Sequence, residues 1–384
     1  MKNIRLGIVG LGNMGKFHAD YLLNGKVSRC AVTAVSDHTP ANLARFPQLK
    51  GFLDWGEMIR SGEVDAVLVA TPHFSHSEIG IEALNHGLHI LVEKPIAPHK
   101  AEAENLLAAS AAHPGQVFAA MFQMRTDPRY RKLKQLVESG SLGKLARVSW
   151  IVTDWFRTEA YYASGGWRAT WRGEGGGVLL NQCPHNLDLW QWICGRPSRV
   201  RGFCQIGRYH EIEVEDNVTA YMEYPNGATG LFVTSTGEAP GTNRFEIAGE
   251  QGRVVLENGR IQFTRNETPM SDFSRAAKTG FVKPEVWNAE IPFAPTGAEH
   301  HLVVQNFVNA ILDGEPLVSP GVEGMWSVEL ANAMLYSSLM GQTIELPLDS
   351  RAYAAKLEEL IASSTREKRV VRNAAEDFNQ SFNR

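Results

Sequence analysis

A glycine-rich loop directly after the first apolar segment places the strongest constraint on the fold. Ile4–Val9 is an apolar run of strand length, and Gly10, Gly12 and Gly15 follow it with G-x-G-x-x-G spacing at the start of a predicted helix. Gly10 permits a tight turn, Gly12 lets backbone amides approach a pyrophosphate, and Gly15 allows close packing of helix and strand. The N–H groups and partial positive charge of the helix N-terminus favour phosphate there. The loop therefore predicts a dinucleotide-binding βαβ unit.

Strand-length and helix-length patterns alternate through the first third of the chain. The apolar runs that follow the first one are Ala31–Val35, Ala66–Ala70, Ile90–Val92 and Val117–Met121. Strands that are apolar along their whole length are typical of a parallel sheet that helices cover on both faces. The alternation predicts an α/β fold over residues 1–124, a doubly wound parallel sheet of the Rossmann type.

An acidic residue at the end of the second run bears on the choice of dinucleotide. Asp37 lies 22 residues after Gly15 (37 − 15), where a carboxylate in such a unit hydrogen-bonds the ribose diol of the adenosine. The same carboxylate would repel a 2′-phosphate. We therefore expect NAD rather than NADP, although a rotation of Asp37, with His38 beside it, leaves NADP open.

A lysine follows the apolar run Ile90–Val92, in the segment Glu93-Lys94-Pro95. The carboxyl ends of parallel strands line the ligand crevice of such sheets. A buried lysine is costly unless it is paired or hydrated, so Lys94 either serves the crevice or extends along the surface to water. Pro95 could form a cis bond that aims the side chain, which favours the crevice.

The segment 71–76 follows the neighbouring run and carries two histidines. We expect His73 to border the nicotinamide and His76 to cap the helix that comes next. The predicted dinucleotide contacts are the glycine loop, the acidic position and the two strand ends; they are Gly10, Gly12, Asn13, Met14, Gly15, Asp37, His38, Thr71, Pro72, His73, His76, Glu93 and Lys94.

A third polar segment follows three glycines at 175–177. Asn181 and His185 are four residues apart and would share one face of a helix. Asp188 is three residues further and would orient the imidazole or cap a neighbouring element. Pro184 predicts a kink or a late helix start. A single histidine in an apolar helix is more often a core residue, so this segment by itself decides nothing.

The pattern changes after about residue 125, where longer alternating runs and a Tyr224-Pro-Asn-Gly turn signal indicate hairpins. This part predicts an α+β domain with a large open, mainly antiparallel sheet. We expect a division into a dinucleotide-binding domain at 1–124, a substrate-binding and oligomerisation domain at 125–350, and a C-terminal helix and tail at 351–384. An open apolar sheet face is unusual in a monomer, so it predicts contact with another subunit.

Composition excludes several classes of protein. The net charge of −4 disfavours proteins that bind nucleic acid or membrane surfaces through basic patches. No apolar run has the length of a spanning helix. The four cysteines lack zinc-binding spacing, and we predict no metal site. We read them as reduced thiols of a cytoplasmic protein.

Four segments, in this order and spacing, resemble the family of glucose–fructose oxidoreductase, inositol dehydrogenase and MocA (Gfo/Idh/MocA). They are GIVGLGNMGKFHADYL, VLVATPHFSH, HILVEKPIA and GGGVLLNQCPHNLDLWQWICG. The resemblance implies NAD(P)-dependent sugar or cyclitol dehydrogenases that form dimers or tetramers. It also implies a catalytic role for Lys94, Asn181 and His185. Many members have aspartate at the Asn181 position, which puts a carboxylate-assisted proton relay in doubt here.

Hydride transfer from a secondary alcohol requires a base within reach of the hydroxyl. His185 suits this role near neutral pH, whereas Lys94 would need its pKa lowered by about three units to act as a free base. We therefore expect His185 to accept the proton and Lys94 to polarise the substrate oxygen. The reverse assignment stays open.

Residues 153–172 are rich in Trp, Tyr and Arg, which stack on sugar rings and bond hydroxyls, although each could equally be a core or interface residue. The predicted substrate contacts, with two from the domain junction, are Arg168, Trp167, Tyr162, Asp154, Gln123 and Arg125. We find no phosphate-specific cluster, which favours a neutral sugar, glycoside or cyclitol. A freely exchanging dehydrogenase, a redox-neutral enzyme that retains NAD and cleaves glycosides, and a non-catalytic NAD sensor are the three hypotheses.

Overall fold

The computed structural model describes residues 3–295 and 297–366. The strands of the first sheet are β1 (Ile4–Val9), β2 (Cys30–Ser36), β3 (Lys50–Phe52), β4 (Ala66–Val69), β5 (His89–Val92) and β6 (Phe118–Ala120). Within the described residues these six strands are all parallel, in the order β3-β2-β1-β4-β5-β6. The connecting helices are α1 (Asn13–Leu23), α2 (Pro40–Leu43), α3 (Trp55–Arg60), α4 (His76–Asn85) and α5 (Lys100–Ala112). The order confirms the predicted doubly wound sheet.

A second sheet follows in the chain. Its strands are β7 (Leu145–Val152), β8 (Arg199–Ile206), β9 (Glu215–Glu223), β10 (Thr229–Ser235), β11 (Asn243–Gly249), β12 (Gly252–Glu257), β13 (Arg260–Asn266), β14 (Val286–Ile291) and β15 (Ile344–Glu345). Their order is β14-β13-β12-β11-β7-β10-β9-β8-β15, and β7 and β10 are the parallel pair among otherwise antiparallel neighbours of the described chain. This confirms the prediction of a mainly antiparallel sheet.

The second part of the described chain also contains helices, and one predicted helix is divided into two. They are α6 (Pro128–Glu138), α7 (Glu159–Ala163), α8 (Trp171–Glu174), α9 (Val178–Asn181), α10 (Pro184–Cys194), α11 (Met270–Ala276), α12 (His300–Asp313), α13 (Gly321–Met340) and α14 (Ser350–Ser363). The helix expected to carry both Asn181 and His185 is two helices, because Pro184 lacks an N–H and stands at the first position of α10, which is the late helix start that Pro184 predicted. The polar tail predicted after α14 lies mostly outside the described residues.

Helices cover both faces of the first sheet. Ala66 and Leu68 of β4 belong to one hydrophobic cluster, and Val67 and Val69 belong to another. All four side chains are fully buried. Residues of α12 join the first cluster, so a helix late in the chain completes the packing of the sheet that the first 120 residues build.

The second sheet has one covered face and one open face. Along β9, Val218, Ala220 and Met222 are buried, and the residues between them are not. α10 and α13 pack on the covered face. The open face presents Phe203 and Leu231, which are 56% and 39% exposed. In the described part of the chain, no helix combines the length and apolarity needed to cross a bilayer.

Candidate active site

The glycine loop has the geometry that its spacing predicts. Gly10 has a φ of +88°, and a Cβ there would lie 2.8 Å from the carbonyl oxygen of Ala70. A Cβ on Gly15 would lie 1.8 Å from the carbonyl oxygen of Gly10. A Cβ on Gly12 would meet nothing within 4 Å, and no side chain caps the N-terminus of α1. The loop therefore leaves open space beside backbone N–H groups, which fits a dinucleotide pyrophosphate.

Asp37 ties this loop to the end of β2. Its Oδ2 accepts a hydrogen bond from the N–H of Leu11 at 2.8 Å, and its Oδ1 accepts one from Thr39 at 2.8 Å. Burial would raise the pKa of Asp37, but these donors outweigh it and leave the pKa lowered. The side chain of His38 is 95% exposed, with Nδ1 3.9 Å from Asp37. Asp37 is thus a fixed carboxylate at the predicted ribose position.

Lys94 points from the end of β5 toward the second part of the chain. The Lys94–Pro95 bond is cis. The Nζ of Lys94 donates to the backbone carbonyl of Asn181 at 2.9 Å. Burial lowers the pKa of Lys94 from its usual 10.5, and the carboxylate of Glu93 opposes that shift. Lys94 therefore lies in the crevice, not along the surface.

A buried pair that the sequence reasoning missed stands behind Lys94. Glu93, predicted as a cofactor contact, has its Oε1 2.7 Å from Nε2 of His18, and its Oε2 accepts the backbone N–H of Lys94 at 3.1 Å. Burial would raise the pKa of Glu93, but His18 lowers it to about 2. Nδ1 of His18 lies 2.6 Å from the hydroxyl of Tyr21. The sequence did offer a signal for this pair, because His18 follows Gly15 by three residues and so lies one turn along α1.

The histidines after β4 link neighbouring loops. The ring nitrogens of His76 lie 2.7 Å and 2.8 Å from the carbonyl oxygens of Thr71 and Pro95. His76 is the first residue of α4, and its ring lies between these two carbonyls instead of capping the helix as expected. Nδ1 of His73 lies 3.1 Å from the carbonyl of Glu174. Burial lowers the pKa of His73 to about 3, so its ring is neutral.

His185 lies in the first turn of α10, and its two ring nitrogens have different surroundings. Its Nε2 is 3.2 Å from the side-chain nitrogen of Gln123. Its Nδ1 is buried and has no hydrogen-bond partner among the residues that the structure describes. Burial, with a contribution from the charge of Lys94, lowers the pKa of His185 well below 6.5. The imidazole is therefore neutral at neutral pH. Because the amide nitrogen of Gln123 can only donate, the ring proton lies on Nδ1, and Nε2 is the nitrogen that can accept a proton.

Asn181 ends α9, so it does not share one continuous helix face with His185 as predicted. Its Nδ2 donates to the carboxylate of Glu174. Its Oδ1 accepts from the hydroxyl of Tyr161 at 3.2 Å and from Gln182 at 3.1 Å. Local spacing gave no signal for Glu174 or Tyr161, because these contacts join separate short helices.

Glu215 anchors α9 from the second sheet. Its Oε1 accepts the N–H groups of Gly177 and Leu179 at 2.8 Å and 3.1 Å. A Cβ on Gly177 would lie 2.0 Å from the carbonyl oxygen of Glu215, so only glycine permits this approach. Burial raises the pKa of Glu215 to about 7. The glycines before α9 thus serve close packing that places Asn181 against Lys94.

Two expectations at the domain junction need correction. Asp188 does not orient His185; its carboxylate accepts two hydrogen bonds from Arg125, at 2.8 Å and 2.6 Å. Arg125 is 1% exposed and also pairs with Glu323. The guanidinium is therefore held in a buried ion-pair network.

Tyr162 is also placed differently from the prediction. It is 7% exposed, its hydroxyl donates to Thr236 at 2.7 Å, and its ring packs 4.7 Å from that of His210. The preceding residue, Tyr161, is the one that lies beside Asn181, and its hydroxyl accepts from Arg168 at 2.8 Å. The helix α7 is too short for periodicity to decide which tyrosine faces the core.

Two of the remaining substrate candidates, Arg168 and Trp167, lie beside Tyr161. The guanidinium of Arg168 lies 4.7 Å from the ring centroids of both Trp167 and Tyr161. Trp167 in turn lies edge-on to His73 at 5.5 Å. Asp154, just after β7, accepts a hydrogen bond from Asn243 at 3.1 Å. In the described residues, no group of three or more His, Cys, Asp or Glu side chains could hold a metal ion.

Comparison with known proteins decides the family. Residues 4–121 match the model of an oxidoreductase family with an NAD-binding Rossmann fold, and residues 130–255 match the GFO/IDH/MocA C-terminal domain. The chain belongs to the GFO/IDH/MocA family. The open glycine loop and Asp37 are therefore parts of an NAD-binding oxidoreductase domain.

Relatives span nearly the whole chain. A levoglucosan dehydrogenase of Pseudarthrobacter phenanthrenivorans is 24% identical over 393 residues, covering 90% of this chain and 99% of the relative. A myo-inositol 2-dehydrogenase of Thermotoga maritima is 26% identical, covering 67% of this chain and 76% of the relative. The WlbA dehydrogenase of Bordetella pertussis, solved in complex with NADH and UDP-GlcNAcA, is 25% identical with a TM-score of 0.75, covering 91% of this chain and all of that one.

Proposed function

We propose that this protein is an NAD-dependent dehydrogenase that oxidises a secondary hydroxyl of a sugar, glycoside or cyclitol. The observation that carries the proposal is the 2.9 Å hydrogen bond from Lys94 Nζ to the carbonyl of Asn181. It brings the strand end of the NAD-binding sheet against the segment that holds Asn181 and His185. The names of the relatives, sugar and inositol dehydrogenases, support the substrate class.

The roles of His185 and Lys94 follow from their protonation states. NAD⁺, when bound, supplies the hydride acceptor, and the residues that would hold it are the amides of the glycine loop, Asp37 and the segment at 71–73. His185, neutral through burial, takes the hydroxyl proton as the carbinol hydride leaves and the C–O bond becomes a carbonyl. Lys94 stabilises the negative charge that develops on that oxygen.

Asn181 and Gln123 would hold the reacting groups in place. Gln123 contacts His185 and fixes the ring, and the side chain of Asn181 is itself held by Glu174 and Tyr161. Because Asn181 carries no charge, it orients a hydroxyl and does not relay a proton. The domain roles that we propose are NAD binding by 1–124 and substrate binding by 125–350.

The open face of the second sheet supports a proposal of homodimers or homotetramers. Phe203, Tyr221 and Leu231 are each at least 39% exposed there on adjacent strands. Contiguous apolar surface of this kind is typical of subunit contacts.

A panel of sugars, glycosides and inositols, each with NAD⁺ and NADP⁺, tests the proposed function through the NADH absorbance band. Steady NADH release on mixing supports a freely exchanging dehydrogenase. NAD that stays bound through dialysis, with glycoside cleavage and no net NADH, would instead indicate the redox-neutral alternative. Tight NAD binding without any reaction would indicate a sensor.

A further inference from the structure

Two arginines converge on one tyrosine ring next to the proposed reacting groups. The guanidinium carbons of Arg157 and Arg168 lie 5.0 Å and 4.7 Å from the ring centroid of Tyr161. The hydroxyl of Tyr161 bonds Asn181, whose carbonyl binds Lys94. We propose, building on the proposed function, that the sugar substrate carries a carboxylate and that Arg157 and Arg168 bind it beside Lys94.

The backbone around Arg157 is fixed on both sides. Its N–H donates to the carbonyl of Thr236 at 2.8 Å, and its own carbonyl lies 2.9 Å from Nε2 of His210. The side chain also lies over Trp155, with 5.7 Å from guanidinium carbon to ring centroid. Arg157 is therefore held in a half-buried position by the second sheet, which is how a binding residue is preorganised.

The guanidinium of Arg157 has donors left for a ligand. Its Nη1 donates to the carbonyl of the adjacent Phe156 at 3.0 Å. Its Nε is shielded from solvent and has no partner among the residues that the structure describes. A shielded N–H without an acceptor is costly, and an incoming oxyanion would satisfy it.

The charges around Lys94 also favour an anion. Burial is the main cause of its lowered pKa, but Arg168 and Arg157 both lower it further, so each is close enough for its charge to act there. Two buried acids also act on the charge of Lys94: Glu93 already pairs with His18, and Glu174 already accepts hydrogen bonds from Ala169 and Asn181. The chain as a whole carries a net charge of −4, so this cationic cluster is local and not a general property of the protein.

A carboxylate fits this cluster better than a phosphate does. The planar guanidinium fork matches a carboxylate through two parallel N–H···O bonds. Glu174 lies in the same cluster and would repel the second charge of a phosphate monoester more strongly than a single carboxylate. The substrate class that we infer is thus a sugar acid, such as a hexuronate, oxidised at a secondary hydroxyl.

Matched substrates test this inference. With NAD⁺ and the intact protein, kcat/KM is measured for D-glucuronate and D-galacturonate, for their uncharged primary amides, and for glucose 6-phosphate and galactose 6-phosphate. We expect the acids to exceed both the amides and the phosphates by about 10- to 100-fold, the range of one or two charge-assisted hydrogen bonds.

Arginine variants locate the effect. Arg157→Gln should raise KM for the acid by about 10- to 100-fold, change kcat little, and leave the amide nearly unaffected. Arg157→Lys, which keeps the charge but loses the fork, should recover part of the acid KM. Arg172→Gln, an exposed arginine of the same segment, is the control and should change neither substrate. Melting temperatures verify that each variant is folded.

Three outcomes would overturn the inference, and they point to different failures. Equal or better oxidation of the amides, or of the phosphates, would reject the carboxylate while leaving the dehydrogenase proposal intact. An unchanged acid KM in folded Arg157→Gln would reject Arg157 as its anchor. Absence of NADH from every substrate in this set and in the neutral panel, despite NAD binding, would reject the dehydrogenase function on which the inference rests.

Discussion

The cofactor side of the site is formed mainly by backbone groups, whereas the substrate side is formed mainly by side chains. On the cofactor side, backbone does most of the work: glycines that permit close approach, uncapped amides of α1, and Asp37 holding the loop by two N–H groups. On the substrate side, side chains form the site, as Tyr161 joins Arg168, Gln182 and Asn181. Backbone geometry is dictated by local sequence, whereas a side-chain network depends on which short elements meet.

The largest expected effect on NAD affinity comes from the backbone side, in a pair of glycine variants. Gly15→Ala would place a Cβ 1.8 Å from the carbonyl oxygen of Gly10, so we expect NAD affinity to fall by about 100-fold or more, with a lower melting temperature. Gly12→Ala meets no protein atom within 4 Å, so the protein should melt normally yet bind NAD weakly. Calorimetric titration and thermal melts check both; wild-type NAD affinity in Gly12→Ala would contradict the assignment of that space to the pyrophosphate.

The adjacent residues Tyr161 and Tyr162 allow the corresponding experiment on the substrate side. Tyr161→Phe removes the hydroxyl that joins Arg168 to Asn181, and we expect kcat/KM for the substrate to fall about tenfold at unchanged stability. Tyr162→Phe removes the hydrogen bond to Thr236 and should lower the free energy of unfolding by about 1 kcal/mol at unchanged kcat/KM. The reverse pattern would show that the prediction from sequence, Tyr162, was the correct one.

The fold of the cofactor side and the geometry of its glycine loop could be predicted from the sequence for a physical reason. The G-x-G-x-x-G spacing, the acidic position at 37 and the strand-end lysine at 94 each belong to one strand–turn–helix unit, whose geometry is nearly fixed. The strand order and the parallel pairing follow from the same alternation of apolar runs.

The substrate side was less predictable because its contacts join distant or very short elements. Asn181 and His185 are four residues apart, yet Pro184 starts a new helix between them. Asp188 pairs with Arg125, which lies 63 residues earlier in the chain, and Glu215 of β9 accepts a hydrogen bond from the N–H of Gly177. No local pattern encodes such pairings, so Glu174 was recognised only from the fold, and the sequence did not single out Tyr161 and Arg157 among residues 153–172.

The smallest expected effect concerns pH. Burial lowers the pKa of His185 well below 6.5, so kcat/KM should stay level from neutral pH down past 6.5 and decline only in more acidic buffer. Because the folded protein resists protonation of His185 while the unfolded chain accepts it, this residue also makes stability fall as pH drops below its unfolded pKa. An acidic limb centred at 6.5 would indicate an ordinary, hydrated histidine.

Lys94 should set the alkaline limit of the same profile. Its pKa is lowered from 10.5 by burial, so the loss of activity that accompanies its deprotonation should begin below the pH expected of a free lysine. If kcat/KM stays constant up to the pH at which a free lysine loses its proton, Lys94 has no role in the chemical step.

The central claim is that Lys94 and His185 act together on a substrate beside bound NAD. The most direct measurement is the rate of NADH formation in Lys94→Met and His185→Ala, with NAD affinity determined in parallel. The exposed residues Lys144 and His86, changed to Lys144→Met and His86→Ala, serve as matched controls. We predict a loss of about 100- to 10,000-fold in each active-site variant with nearly intact NAD affinity and no loss in the controls. Wild-type turnover in either active-site variant would contradict the role of that residue.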